Sequence, residues 1–191
     1  MGKQQEKARA AKKKLLAAAA ELFGSNEIER VGVREICARA GVTTGTFYHY
    51  YKGKDDILDC LYLDRDAQFG LNLKQLSDNP PYVEGIVSFF ADILARTVDE
   101  DGVDFTRHRL FTLRKHSNDD MGLYIGMDAL VGKAIANGEL AGKTDEKKVR
   151  DYLFLVFRGV VYEWCICGEE ERFDIQEAMR QAIACALRSF E

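Results

Sequence analysis

The sequence predicts an all-α fold of about nine helices, and three observations predict it. The only prolines, Pro80 and Pro81, stand together, so nothing of that kind interrupts the long segments on either side. No segment shows the valine-rich apolar/polar alternation of a half-buried strand. Apolar residues instead recur at helical spacing along almost the whole chain. With 191 residues there is room for one sizeable core, or for a small module fused to a larger one.

The elements follow in order. A first helix is expected from about Gln5 to Phe23, with Leu15, Leu16, Ala19, Leu22 and Phe23 on one side, Lys12, Lys13 and Lys14 clustered nearby, and Gly24-Ser25-Asn26 as its stop. A second spans Val33 to Ala40, where Val33, Ile36, Cys37 and Ala40 fall at i, i+3, i+4 and i+7. Two turns are marginal alone, so this helix must pack on its neighbours. Gly41 then supplies a residue able to take positive φ at a sharp turn. Thr43 stands where an N-cap would open a third helix running through Tyr51. Short helix, glycine turn, capped helix: this is a helix-turn-helix outline. Further helices are expected at about Lys54 to Leu76, Tyr82 to Val98, Asp104 to Lys115, Met121 to Asn137, Glu146 to Gly168 and Asp174 to Phe190. The domain boundary is placed after residue 53.

Charge separates the two parts. The chain carries a net −4, yet residues 1–60 hold eleven Lys/Arg against eight Asp/Glu, and residues 61–191 hold sixteen against twenty-three. A positive module on an acidic body is the asymmetry expected of a nucleic-acid head. No apolar run approaches the roughly 20 residues of a membrane span. The basic N-terminus lacks the apolar stretch and cleavage site of a secretory signal, which leads us to expect a cytoplasmic protein with no membrane partner. Five scattered cysteines, mostly inside apolar helical patterns, read as reduced core thiols. Cys165 and Cys167, two apart on a helix, point in different directions and suit neither a redox nor a metal pair.

The run GVTTGTFYHYYKGKDDIL, residues 41–58, concentrates aromatic, hydroxyl and basic groups. On a helix Phe47 and Tyr51 lie four apart and share the core-facing side, which leaves Thr44, Thr46, Tyr48, His49 and Tyr50 for other faces. Folding has no need of such an exposed patch, whereas a DNA major groove can use one. Hydroxyls and ring nitrogens meet phosphates and base edges, and a threonine methyl meets that of thymine. Lys54 adds a cation for a phosphate. The competing reading is a solvated corner in an unrelated bundle.

The stretch AAAELFGSNEIERVGVREICARAGVTTGTFYHYYKGKDDILDCLY resembles, over about 45 residues, the N-terminal pattern of the TetR/AcrR family of bacterial transcriptional regulators. The resemblance implies that residues 33–40 are the supporting helix and 43–51 the recognition helix. It further implies that Arg34, Thr43, Thr44, Gly45, Thr46, Tyr48, His49, Tyr50 and Lys54 meet operator DNA, with Gly45 letting the backbone approach, while Phe47 and Tyr51 stay structural. One departure is Gly32, where family members often carry a capping threonine or serine; glycine is itself an acceptable cap.

Beyond about residue 65 the resemblance fades and pattern alone remains. VRDYLFLVFRGVVYEWCIC is apolar nearly all round, which suggests burial on two sides. With the helix after Asp174 it would form a four-helix interface in a two-fold dimer, through about 146–168 and 174–190, where Gly159, Ala178, Ala182 and Ala186 would permit close approach. The competing reading is that both helices only complete an intramolecular core. Two recognition helices related by a two-fold axis would then read a near-palindromic operator. The family implies a small-molecule effector among the middle helices that releases the operator. Phe111, Phe157 and Trp164 are chosen from the body's aromatics as candidate ligand contacts, with His108, Arg109, Arg114, His116 and Glu163 as polar partners and an apolar or planar ligand preferred. Each of these aromatics also reads as ordinary core. The alternative function is a regulator of the same fold controlled by a protein partner. No cofactor, metal or catalytic residue is expected: a Walker loop, a dinucleotide-binding glycine motif, HExxH and a nucleophile elbow are all missing, and His49, His108 and His116 do not cluster by spacing.

Overall fold

The computed structural model describes the backbone of residues 3–25, 28–112 and 121–190 and the side chains of residues 6–24, 28–110 and 121–190. Everything regular among them is helical, and the chain divides into two compact units, Met1–Arg65 and Asp66–Glu191.

The first unit contains α1 (Lys3–Ser25), α2 (Val33–Ala40), α3 (Thr44–Tyr50) and the start of α4 (Lys54–Leu76). Its core is Leu15, Ala19 and Phe23 of α1, Ile36 and Cys37 of α2, Phe47 of α3, Tyr51, and Ile57 and Leu58 of α4, all buried. Burying Phe47 contributes about 1.5–3 kcal/mol, which is what holds so short a helix as α3 in place. α2 has the expected boundaries. Gly32 opens it without a side-chain bond, and Gly41 closes it at φ 66°, in the left-handed region, where its N–H reaches the carbonyls of Cys37 and Ala38. Thr43 caps α3 by accepting the N–H of Thr46 at 3.2 Å. α1 ends at Ser25, two residues later than expected, and Asn26 of its expected stop lies outside the described residues.

The second unit holds the rest of α4, then α5 (Tyr82–Ser88), a π-helical stretch (Phe89–Ala95), α6 (Arg96–Thr112), α7 (Gly122–Ala136), α8 (Glu146–Ile166) and α9 (Ile175–Leu187). The expected pair of helices between Tyr82 and Lys115 is a continuous run from Tyr82 to Thr112, disturbed in two places. One is the π stretch; the other is Gly102, at φ 74° and ψ 174°, which supplies the expected break in a conformation that favours glycine. Residues 113–115 of the expected helix lie outside the described residues. Asp145 and Asp174 cap α8 and α9, each accepting two backbone N–H groups. α9 is shorter than expected and passes into a 3₁₀ turn, Arg188–Phe190.

An aromatic cluster fills the centre of this unit. Phe90 meets Phe154 and Phe157 at ring-centroid distances of 5.2 and 5.8 Å, and Tyr124 stacks on Phe154 at 4.5 Å. Between α4 and α7 the backbones come close. Asp66 accepts the N–H groups of Gly122 and Leu123 at 2.8 and 3.0 Å, a cap supplied from 56 residues away. At Gly126 an added Cβ would stand 2.9 Å from that of Leu73.

Within the single chain α8 is covered along one side. Val149, Leu153, Phe154, Phe157, Val161 and Trp164 are buried, but Tyr152, Leu155, Tyr162 and Ile166 are 42%, 60%, 54% and 53% exposed. A single chain covers one side of this helix only. Ala186, expected at a close approach between copies, lies in this unit's own core, while Gly159 is exposed and Ala178 and Ala182 are half-buried.

Candidate functional site

The outward side of the first unit is built by subtraction. Once Phe47 and Tyr51 are spent on the core, the rest of α3 is left exposed or half-buried. Thr43, Thr44, Gly45 and His49 are exposed, Tyr48 is 61% exposed, and Thr46 and Tyr50 are half-buried. Neighbouring rings hold the aromatics in place. Tyr48 sets its ring edge-on to Phe47 at 5.4 Å, and His49 does the same with Tyr50 at 4.8 Å. The hydroxyls of Thr43 and Thr46 lie 3.0 Å apart and share a hydrogen bond. The result is a pre-organised patch of hydroxyl, phenol and imidazole groups.

Gly45 belongs to this patch for a reason that packing does not supply. A Cβ there would meet only the Thr43 hydroxyl, at 3.7 Å, an ordinary contact, and the residue is helical. Glycine in a helix costs about 0.5–1 kcal/mol relative to alanine. Among the described residues no packing contact calls for a glycine at this position.

Arg34 is exposed near the start of α2. Lys54 is placed differently from what sequence reasoning alone would suggest. Its ammonium donates to the carbonyl of Ile28 at 2.8 Å and to that of Glu29 at 3.3 Å, tying α4 to the segment before α2 and leaving one N–H for another acceptor. No sequence signal announces these bonds, because their partners lie 26 and 25 residues away. Arg39 is engaged with Glu21 of α1.

In the second unit the three aromatic candidates part company. Phe157 sits in the central cluster, 8% exposed, and Trp164 is 2% exposed. Phe111 lies in the last turn of α6, but its side chain falls outside the described residues, as do Arg114 and His116 altogether. Arg109 and Asp101 form a buried pair at 3.8 Å, His108 is half-buried and Glu163 exposed. Among the charged groups, Asp128 is pushed up by burial, against the pull of Arg150, whose Nη1 donates to it at 2.7 Å.

All five cysteines are free. Burial pushes the Cys37 thiol up, which makes it a poorer nucleophile. Cys185, by contrast, is exposed rather than in the core. Among the described residues no group of three or more His, Cys, Asp or Glu side chains could hold a metal, and no helix is long and apolar enough to cross a membrane.

Comparison with known proteins places this geometry. Residues 15–61 match the family model of bacterial regulatory proteins, tetR family. The chain is 25% identical over 170 residues, 84% of its length and 86% of the relative's, to a fatty acid metabolism regulator protein of Bacillus subtilis (strain 168). Two solved structures share its fold at lower identity. One is the transcriptional regulator FadR from Bacillus subtilis in complex with stearoyl-CoA (20% identity, TM-score 0.69, covering 93% of this chain and 98% of that one). The other is SmeT of Stenotrophomonas maltophilia in complex with triclosan (19% identity, TM-score 0.72, covering 95% and 91%). Residues 15–61 thus match the tetR family of bacterial regulatory proteins, and nearly the whole chain shares its fold with these two solved structures.

Proposed function

We propose that the protein is a homodimeric transcriptional repressor, with residues 1–53 as its DNA-binding domain and 54–191 as its ligand-binding and dimerisation domain, released from a near-palindromic operator by a small apolar or planar ligand. The observation that carries this reading is the outward side of α3: Thr44, Gly45, Tyr48 and His49 are exposed and have no task in the core. In the groove, Thr43, Thr44, Thr46 and Tyr50 would meet phosphates and base edges, Tyr48 and His49 would give ring and hydrogen-bonding contacts, and Arg34 and the remaining N–H of Lys54 would reach phosphates. The ligand side rests on relatives whose structures hold stearoyl-CoA and triclosan, and on the aromatic body of this chain, where Phe111, Phe157 and Trp164 are the proposed contacts. The dimer rests on the uncovered apolar side of α8.

Release follows from linkage. A ligand that binds better to one arrangement of the dimer shifts the population toward it, and only differential affinity can do so. α4 carries the chain from head to body, so a shift of this helix changes the separation of two recognition helices that need roughly 34–36 Å to enter successive major grooves.

The test is selection of bound sequences from random duplex DNA by the purified protein, followed by titration of the selected site with wild type and Tyr48→Ala. A palindromic site bound by a dimer, with affinity at least about tenfold lower for the variant, is the expected result, since a good groove contact contributes roughly 1–3 kcal/mol. Affinity should also fall steeply between 50 and 200 mM salt, as phosphate contacts require. Equal binding by the two proteins would remove Tyr48 from the interface. No enrichment at all would favour control through a protein partner.

A further inference from the structure

The second unit contains a cavity of about 300 Å³ where α8 turns into α9, lined by Asp99, Trp164, Arg172, Phe173 and the first residues of α9. Its distinguishing group is Arg172. The guanidinium lies over the Trp164 ring, 5.0 Å from the centroid, and its Nε is buried without a hydrogen-bond partner. No carboxylate among the described residues lies within ion-pairing distance of it. Other arginines of the same unit are placed otherwise: Asp128 and Asp151 hold Arg150, and Asp92 holds Arg180 at 2.6 Å. A guanidinium taken partly out of water and given an aromatic platform but no anion carries a desolvation cost that its own chain does not offset.

More positive charge stands behind it. Arg107 donates to the carbonyl of Cys165. Burial raises the Cys165 thiol, while the charges of Arg107, Arg172 and Arg109 all act to lower it, so three guanidinium groups converge near this end of α8. Of the two acids lining the cavity, Asp174 is spent on α9, accepting the N–H groups of Gln176 and Glu177, and Asp99 is exposed to water.

We propose that this cavity is a binding site for a small organic monocarboxylate, with Arg172 as the fork that receives the carboxylate and Trp164 as the plate that holds the fork flat. A planar guanidinium meets a carboxylate through two parallel N–H···O bonds, a geometry that a lysine cannot offer. Phe173 supplies an apolar wall for the acid's stem. The volume is at the low end for small-molecule pockets, which favours a compact acid. The two acids on the lining oppose a dianion such as phosphate, so a single charge is selected. The assignment rests on the reading that the body takes a small-molecule ligand, and gives the ligand a chemical class.

Trp164 is the only tryptophan in the sequence, so its emission reports directly on the cavity. The full chain is titrated with benzoate and octanoate, with benzamide as the uncharged counterpart and inorganic phosphate as the dianion. The expected result is a saturable change in Trp164 emission with a carboxylate, binding of benzamide weaker by about tenfold or more, and no response to phosphate. Arg172→Gln should lose the preference for benzoate over benzamide, and Arg172→Lys should recover only part of it. Benzamide binding as tightly as benzoate, a response to phosphate instead, or no saturable response to either carboxylate would each overturn the proposal, and these comparisons on wild type stand even if a variant does not fold. Operator affinity, measured alongside, separates the two readings. A carboxylate bound through Arg172 that leaves the operator in place upholds the cavity and counts against its use as the switch. An effector that releases operator equally from Arg172→Gln upholds the repressor and removes this cavity as its seat.

Discussion

Beneath the exposed side of α3, Tyr51 buries a phenolic hydroxyl that has no hydrogen-bond partner. Its ring packs 5.5 Å from that of Phe47 and contributes to the core, but the oxygen gives up water and gains nothing. Burial, with smaller contributions from Cys60 and Asp56, pushes its pKa from 10.0 up to about 12. A tyrosine raised in this way keeps its proton longer in the native state than in the unfolded one. Stability therefore declines as pH rises from 10.0 toward about 12 and is indifferent to this group at neutral pH. Tyr51→Phe keeps the ring and deletes the orphan. It should be neutral or stabilising by about 1 kcal/mol, worth about 2–4 °C in Tm for a chain of this size, and should flatten the alkaline decline in a series of thermal melts. Operator affinity should not change, because Tyr51 faces inward. A lower Tm would mean that the hydroxyl has a partner in solution.

Helix boundaries were legible in the sequence where their causes are local. α2 and α3 start and stop where glycine, threonine and a four-residue apolar rhythm require, and Asp174 announces itself as a cap. The outward patch was legible for the same reason, since spending Phe47 and Tyr51 on the core decides where their neighbours point. What could not be read depends on partners far along the chain. The π-helical stretch Phe89–Ala95 carries no composition of its own, and its buried residues Phe89, Phe90 and Leu94 are set by what packs on them. The bonds of Asp66 to Gly122 and Leu123, and of Lys54 to Ile28, join positions that no local window contains. Gly126 shows what such packing demands. Alanine is the better helix former by about 1 kcal/mol, yet its Cβ would stand 2.9 Å from the Cβ of fully buried Leu73, which cannot swing aside as a side-chain tip could. Overpacking of this kind costs about 1–3 kcal/mol. Gly126→Ala should therefore fail to raise Tm and should lower it by up to a few degrees, measured by thermal unfolding. A clear rise would show that α4 and α7 separate easily at this point.

For the proposed dimer the surface that matters is the uncovered side of α8. Tyr152, Leu155, Gly159, Tyr162 and Ile166 follow one another at steps of three and four, the spacing of a seam between helices, and all are exposed in the single chain. Exposed positions of α9 and the turn after it include Glu177, Gln181 and Arg188, which are polar, and this puts the apolar centre of the proposed two-fold interface on α8 and its rim on α9. At a two-fold axis each residue meets the same patch on the other copy, so a charge placed in the seam is met by its own twin. Leu155 is 60% exposed in the protomer, and replacing it should change the protomer's own stability by no more than about 0.5 kcal/mol. Leu155→Glu therefore isolates assembly from folding. Helical content should stay at the wild-type level while sedimentation shows monomer at concentrations where wild type is a dimer. A monomer presents one α3 to the DNA, and the energy of the second half-site is then lost along with the avidity of linked binding. Binding to the palindrome should fall toward that of an isolated half-site, while wild type loses comparable affinity when one half-site is scrambled. A variant that remains dimeric would move the interface off α8. One that is monomeric yet binds the palindrome as tightly as wild type would show that recognition does not need the two-fold pairing of heads.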